Sequence, residues 1–442
     1  MKPLRSLIPI GTATLLPHTA QSVRWLEDQL LAHCSTWGYQ EIILPTFEYL
    51  DVLAVGLAPE ILEKCYKFAD WGSGRILVLR PDATAQIARM VAMGLGGDAL
   101  PLRFSYRTTV FRYEPEHRGR DREVFQVGCE LLGKDTSQTD AEVVTLLAGL
   151  LERIGLPEWK ISLGHVGFFK ALLAQSGLSL SGRKQAEIAA AHKDLPQLEK
   201  ILETERLSRS KVKDILQVPE RYGRDEVLEW GMQIAGKDAQ LLKPLQRLMQ
   251  VYRQLIANGV QDHILLDLGE FRGFDYYDGV VFDVFTSTFG SEIGGGGRYN
   301  HLVGRFGRDL SAIGLGLDLD RVFSALERGG KKVGGNGLKP VRIFISPHQS
   351  EASFALAQRL RGAGIYVIEE MIEGSPKSAL SWVTTAARRR GVPCAMIFIE
   401  KTSTPQSVLL LEFTSSSQKP RQTRMLVQEL PQRLQAFSHG NI

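Results

Sequence analysis

At 442 residues, 44% of them hydrophobic and 23% charged, the chain has room for two or three domains and the composition of a soluble globular protein, not of a disordered or membrane-spanning one. Its net charge of +4 neither demands nor excludes nucleic acid, because a binding face shows as local clustering of charge and not as a total. Four scattered cysteines, Cys34, Cys65, Cys129 and Cys394, have no disulfide or metal-ligand spacing and read as buried thiols of a reducing compartment; with no signal-peptide core and no apolar run long enough for a bilayer, a cytoplasmic location is expected.

Thr19 to Trp37 carries Val23, Leu26, Leu30 and Cys34 at helical spacing and stops at Gly38, followed by a short strand from Tyr39 to Leu44, then Pro45 and Glu48. Ile76 to Leu79 reads as a strand running into Arg80-Pro81-Asp82-Ala83-Thr84. There Asp82 or Thr84 can cap the helix that follows, or a carboxylate at a strand end can hold an ammonium group.

The stretch Phe111 to Glu130 is the richest in pattern. From Val124 to Leu131 the period is two: Phe125, Val127, Cys129 and Leu131 are apolar, and Gln126, Gly128 and Glu130 share the other face. A glycine inside a strand marks close approach of a ligand or of another backbone. Val110 to Glu114 alternates in the same way, so a long antiparallel hairpin with a charged tip, Pro115 to Arg122, is expected.

Asp140 to Ile154 is helical, Lys160 to Leu163 a strand and Gly164-His165 a turn, with no role for His165. Phe168 to about Asn258 is charged, helix-rich and without a patterned site, a helical insertion. Strand character returns at Ile264 to Leu268 and from Phe271 to Phe285, where Asp278-Gly279 carries a hairpin signal. Arg272, in an otherwise apolar hairpin, suits an anion; Tyr276 and Tyr277 are also ordinary strand residues. Gly294 to Gly297 permits close backbone approach but has neither dinucleotide nor Walker spacing. Ala312 to Leu317 is a strand, and Asp318 and Asp320 suit the dipole of the helix that follows. After a Gly- and Lys-rich linker, 328–340, residues 341–442 alternate strands and helices, a small α/β domain with a parallel or mixed sheet.

These residues resemble the class II aminoacyl-tRNA synthetases. Pro45 with Glu48 is similar to the first motif of that class, Phe111-Arg112-Tyr113-Glu114 through Gln126 to the second, and Gly314 to Arg321 to the third. More narrowly, residues 5 to 327 resemble histidyl-tRNA synthetase and its relative, the regulatory subunit of ATP phosphoribosyltransferase; the C-terminal domain resembles an anticodon-binding domain. The resemblance implies an α+β fold, an antiparallel sheet flanked by helices, over residues 1–327. It also implies a histidine pocket: Asp82, Ala83 and Thr84 at the α-amino group, Arg112, Gln126 and Arg272 near the carboxylate, and Glu130, Tyr276 and Tyr277 around the imidazole.

The two relatives differ over ATP. Where the synthetase has a glycine, an apolar residue, a glutamate and an arginine, this chain has Asp318-Leu319-Asp320-Arg321, and the new carboxylate repels a triphosphate. Asn300 and His301 replace an expected aspartate and glycine, and Thr14 stands where the synthetase tends to have an aspartate. The regulatory reading follows: no catalytic residues, no cofactor or metal, a short-form ATP phosphoribosyltransferase and L-histidine as partners, self-association as a dimer, and no tRNA. The retained C-terminal domain and Arg272 keep an active histidyl-tRNA synthetase as the alternative, and a stand-alone histidine or tRNA sensor is a third reading.

Overall fold

Apolar residues at helical spacing become the helices that back a large sheet, and strands with period two become its centre. A computed structural model describes residues 8–97, 99–113, 122–270, 276–331, 333, 342–346, 350–371, 376–389, 394–398, 407–413 and 419–436. They fall into two compact units, Met1–Val333 and Gly334–Ile442.

In chain order the strands of the first unit are β1 Gln40–Glu41, β2 Phe47–Tyr49, β3 Lys67–Ala69, β4 Ile76–Leu79, β5 Leu102–Phe111, β6 Glu123–Leu132, β7 Trp159–His165, β8 Tyr222–Gly223, β9 Ile264–Asp267, β10 Val280–Thr286, β11 Phe289–Arg298 and β12 Ala312–Asp318. Nine of them form one sheet in the order β1-β5-β6-β12-β11-β10-β7-β9-β8. Its centre is antiparallel, with parallel joins only at β1–β5 and β7–β9. The remaining three pair as a small sheet, β2-β4-β3. The expected antiparallel sheet with flanking helices is the architecture found.

One face of the large sheet is dry. Val127, Cys129, Leu131, Ile313 and Leu317 share a core with Leu26 and Leu30 of the helix Pro17–Thr36 and with Val143, Leu147 and Leu150 of the helix Ser137–Ile154. The second helix is fixed at both ends: Thr136 and Thr139 form a reciprocal capping box, and Gly155 closes it in the left-handed conformation at φ 66°. The helical insertion runs from Leu180–Ala191 to Ala239–Ala257 and adds Leu198, Leu202, Leu245 and Leu248 to the same core, so it is packed against the sheet domain. A buried carboxylate pins it there: Asp140 accepts from Arg247 Nε of the insertion at 2.7 Å and from Arg298 Nε of β11 at 2.6 Å.

Several expectations are corrected. Gly164-His165 is not a turn, because β7 runs to His165, whose Nδ1 accepts from Gly167 N and caps the helix Val166–Ser176. Asp278-Gly279 is not the tip of a paired hairpin. Residues 276–279 are outside any strand, and the reversal lies instead at Ser287-Thr288, between β10 and β11, whose pairing competes successfully for the β-prone run. The second unit is a mixed sheet of five strands, β13 Arg342–Ser346, β14 Val367–Met371, β15 Cys394–Phe398, β16 Ser407–Glu412 and β17 Arg421–Leu426, in the order β14-β13-β15-β16-β17. Its last two strands were not read from the sequence. No helix among the described residues is long and apolar enough to cross a membrane.

Candidate functional site

The other face of the sheet carries a polar cavity with a floor of backbone. Register aligns Tyr106, Gly128, Gly316 and Gly295 across β5, β6, β12 and β11, and in the next row Glu130, Gly314 and Gly297. Contact demands glycine at three of these positions: a Cβ at Gly314 would overlap the Glu130 carboxylate, one at Gly128 would strike the Tyr106 ring and the Leu315 carbonyl, and one at Gly297 would meet the Tyr277 ring. The cavity measures about 750 Å³, within the usual range of small-molecule sites.

Glu130 sits at its base, 1% exposed. Its Oε1 accepts from Thr84 Oγ1 at 2.8 Å and its Oε2 from Tyr299 Oη at 2.5 Å. Burial pushes the carboxyl up to about 8; the nearby Asp82 charge adds to this, and the two hydroxyl hydrogen bonds oppose it. Asp82 caps the helix Ala83–Ala92, its Oδ1 accepting from Thr84 N at 3.1 Å, while its Oδ2 accepts from Tyr276 Oη at the same distance. The capping and the cavity-lining readings of Asp82 are therefore both met by one side chain. Tyr276 packs against Tyr277, with ring centroids 4.8 Å apart, and edge-on to Tyr299 at 5.8 Å.

Arg112 follows the end of β5, where its Nε donates to the Pro81 carbonyl at 2.7 Å and its side chain lines the cavity. Gln126 lines the same wall, and its Nε2 donates to Asp318 Oδ1 at 2.7 Å. Asp82, Thr84, Gln126, Glu130, Arg112, Tyr276 and Tyr277 thus border one cavity, with Ala83 buried beside them as the first residue of the capped helix. Arg272 and the hairpin-tip residues Glu114, Arg118 and Arg120 lie outside the described residues. Arg122 is described, with its guanidinium 4.9 Å over the Tyr113 ring.

Two site residues, Tyr299 and Tyr106, are not marked by the sequence pattern. The hydroxyl of Tyr299, the residue after β11, meets Glu130; the period-two series Gly295, Gly297, Tyr299 was the available signal. Tyr106 lies on β5 before the stretch that was recognised as patterned. Asp318 needs more than a helix dipole to explain it: it makes no capping hydrogen bond, and its carboxylate holds Gln126 instead. At the far end the insertion contributes Lys193, whose Nζ donates to Asp267 Oδ2 at 3.3 Å. Among the described residues no group of three or more His, Cys, Asp or Glu could hold a metal ion.

Residues 11–322 match the family model described as Histidyl-tRNA synthetase. Among solved structures, a histidyl-tRNA synthetase from a Nostoc species superposes with a TM-score of 0.76 at 20% identity, covering 98% of this chain and 100% of that one, a likeness of fold. An ATP phosphoribosyltransferase regulatory subunit/histidyl-tRNA synthetase from Bacillus halodurans superposes with a TM-score of 0.74 at 28% identity, covering 86% and 97%. The fold is therefore that of a class II aminoacyl-tRNA synthetase of the histidyl type.

Sequence relatives narrow this. The ATP phosphoribosyltransferase regulatory subunit of Desulforamulus reducens is 37% identical over 374 residues, 84% of this chain and 91% of that protein. That of Geobacter metallireducens is 32% identical over 395 residues, 89% of this chain and 90% of that protein. The chain belongs to the ATP phosphoribosyltransferase regulatory subunit family.

Proposed function

We propose that this chain is a non-catalytic subunit that binds free L-histidine in the cavity and regulates a separate short-form ATP phosphoribosyltransferase, at the first step of histidine biosynthesis. The observation that carries the ligand is the Glu130 cluster. A buried carboxyl at the base of a glycine-floored cavity, held by the Thr84 and Tyr299 hydroxyls, offers an imidazole N–H an acceptor out of water. Asp82 and Thr84 at the helix start suit an α-ammonium group, and Arg112, with Gln126 and Arg272, suits the carboxylate. Tyr276 and Tyr277 flank the imidazole.

Feedback by histidine requires only that it bind one arrangement of the complex more tightly than another, a coupling of about 1–3 kcal/mol. The subunit also self-associates as a dimer, as the synthetase-like fold implies, and has no role for tRNA. Titration calorimetry tests the histidine site: the chain alone takes up L-histidine, and a chain that gives no histidine heat removes this reading. Histidine-dependent ATP–pyrophosphate exchange separates it from the synthetase alternative, since robust exchange by the lone chain would make it an enzyme.

A further inference from the structure

At the end of the cavity remote from Glu130, part of the wall is supplied by the helical insertion. The helix Leu180–Ala191 gives way almost at once to the helix Leu195–Thr204, and Ala191, His192 and Lys193 at their junction line the cavity together with Ser162 of β7 and Asp267 of β9. Both helices are anchored: Ala189, Ala190, Leu198 and Leu202 are buried in the main core, and Asp194 Oδ1 caps the second helix by accepting from Gln197 N at 3.0 Å. Between these anchors Lys193 takes a left-handed backbone conformation, φ 53°. Its Nζ donates to Asp267 Oδ2 at 3.3 Å, while Asp267 Oδ1 accepts from Gly269 N at 2.8 Å.

Two features set this contact apart from ordinary packing. Glycine would hold the left-handed turn without steric cost, so a lysine there is explained by what its side chain reaches and not by the backbone. The pair is also unequal in exposure, the Lys193 side chain being 57% exposed and that of Asp267 6%. Such a contact is reversible: when it parts, the ammonium is already hydrated and water reaches the carboxylate, whereas parting apolar surfaces would leave them exposed to water. Strand pairing puts Gly295, Asp283 and Ser162 in one row, so the Ser162 end stands roughly 10 Å, two strand spacings, from Gly295 on the cavity floor. The insertion therefore meets the far side of the cavity through a contact that water can break.

We propose that the junction Ala191–Lys193 is a gate of the cavity, held shut by the Lys193–Asp267 ion pair, and that its closing retains the bound amino acid. The inference rests on the reading of the cavity as a histidine site. Closed, the gate keeps water from that end of the cavity and strengthens the polar contacts inside it; open, it lets the ligand exchange. Because the closed arrangement holds the ligand more tightly, binding must in turn favour closure, and histidine occupancy is felt by the insertion.

The test is amide hydrogen exchange over residues 189–195 of the full-length chain, with and without saturating L-histidine, beside calorimetric titration with L-histidine. It compares wild type, Lys193→Met and the double variant Lys193→Met/Asp267→Asn, with cooperative thermal melting as the folding control. Methionine keeps an unbranched side chain and removes the ammonium; the double variant also removes the carboxylate charge left buried without its cation, so it reports even if the single variant does not fold. Without ligand, the folded variants are expected to exchange this segment at least about 5-fold faster than wild type, with exchange in the helix Ser137–Ile154 unchanged. Histidine is expected to slow exchange of the segment in wild type and not in the variants, which bind histidine at least about 5-fold more weakly. Equal exchange in ligand-free wild type and folded variants overturns the latch whether or not histidine binds, and a wild type that binds histidine without slowing this segment, or variants that bind it as tightly as wild type, overturn the gate. Absence of histidine binding by wild type would instead count against the histidine site.

Discussion

Glu130 is costly to keep where it is. Its carboxyl, at about 8 in the fold, still holds its proton at a pH where the unfolded chain, at the ordinary 4.5, has released it. The fold therefore binds more protons than the unfolded state between these values, and stability falls as pH rises from about 4.5 to about 8. Glu130→Gln is expected to abolish this decline, seen as melting curves that converge across the window, and at the same time to weaken histidine binding by at least about 10-fold in calorimetry, since the amide cannot become the anion that an imidazolium would meet. A variant with unweakened histidine binding would remove Glu130 from the site. Tyr299→Phe deletes one donor to the same carboxyl and is expected to cost about 1–3 kcal/mol in denaturant unfolding. Both residues are in the sequence, but only Glu130 was legible there. Its alternation with Gln126 and Gly128 is local, whereas the contact to Tyr299 spans 169 residues and is set by strand order.

At the scale of elements, the glycine run of β11 is read as close approach by something, and the register shows that it is the backbone of β12. Gly314→Ala would drive a methyl group into Glu130, an overpacking expected to cost about 1–3 kcal/mol and to lower histidine affinity together with stability. Gly290→Ala, on the same strand pair but with open space at its Cβ, is expected to stay within about 0.5 kcal/mol of wild type. A second element-level prediction concerns the cap that the sequence reading took for a turn. Burial, with Arg247 nearby, pushes His165 down to about 4 from 6.5, so the unfolded chain takes up a proton that the folded cap resists, and stability falls as pH drops from about 6.5 towards 4. His165→Asn keeps a capping acceptor and is expected to flatten that acid limb in pH-dependent melting. The Asp82 cap and the period-two strand were legible because their causes lie within a few residues. The partner of Asp318 was not legible for the opposite reason. At a helix start an aspartate already has a sufficient local explanation, and only the β6–β12 register shows that its carboxylate is turned to Gln126.

For the whole molecule, the antiparallel sheet with flanking helices followed from motif resemblance and not from periodicity, which cannot order nine strands. Tracing strands through 442 residues left β16 and β17 unread, although the antiparallel pairing of β16 with β15 and of β17 with β16 makes the second sheet mixed. Regulation of a transferase likewise exceeds any one side chain, because it requires that histidine occupancy on this chain alter catalysis on another. The decisive measurement is phosphoribosyltransferase turnover by a purified short-form transferase mixed with this chain, titrated with L-histidine. The account predicts that wild type confers turnover and that histidine suppresses it, while Glu130→Gln confers turnover that histidine suppresses only at concentrations at least about 10-fold higher. Turnover unaffected by the chain, or suppressed equally by histidine with either form, would contradict it.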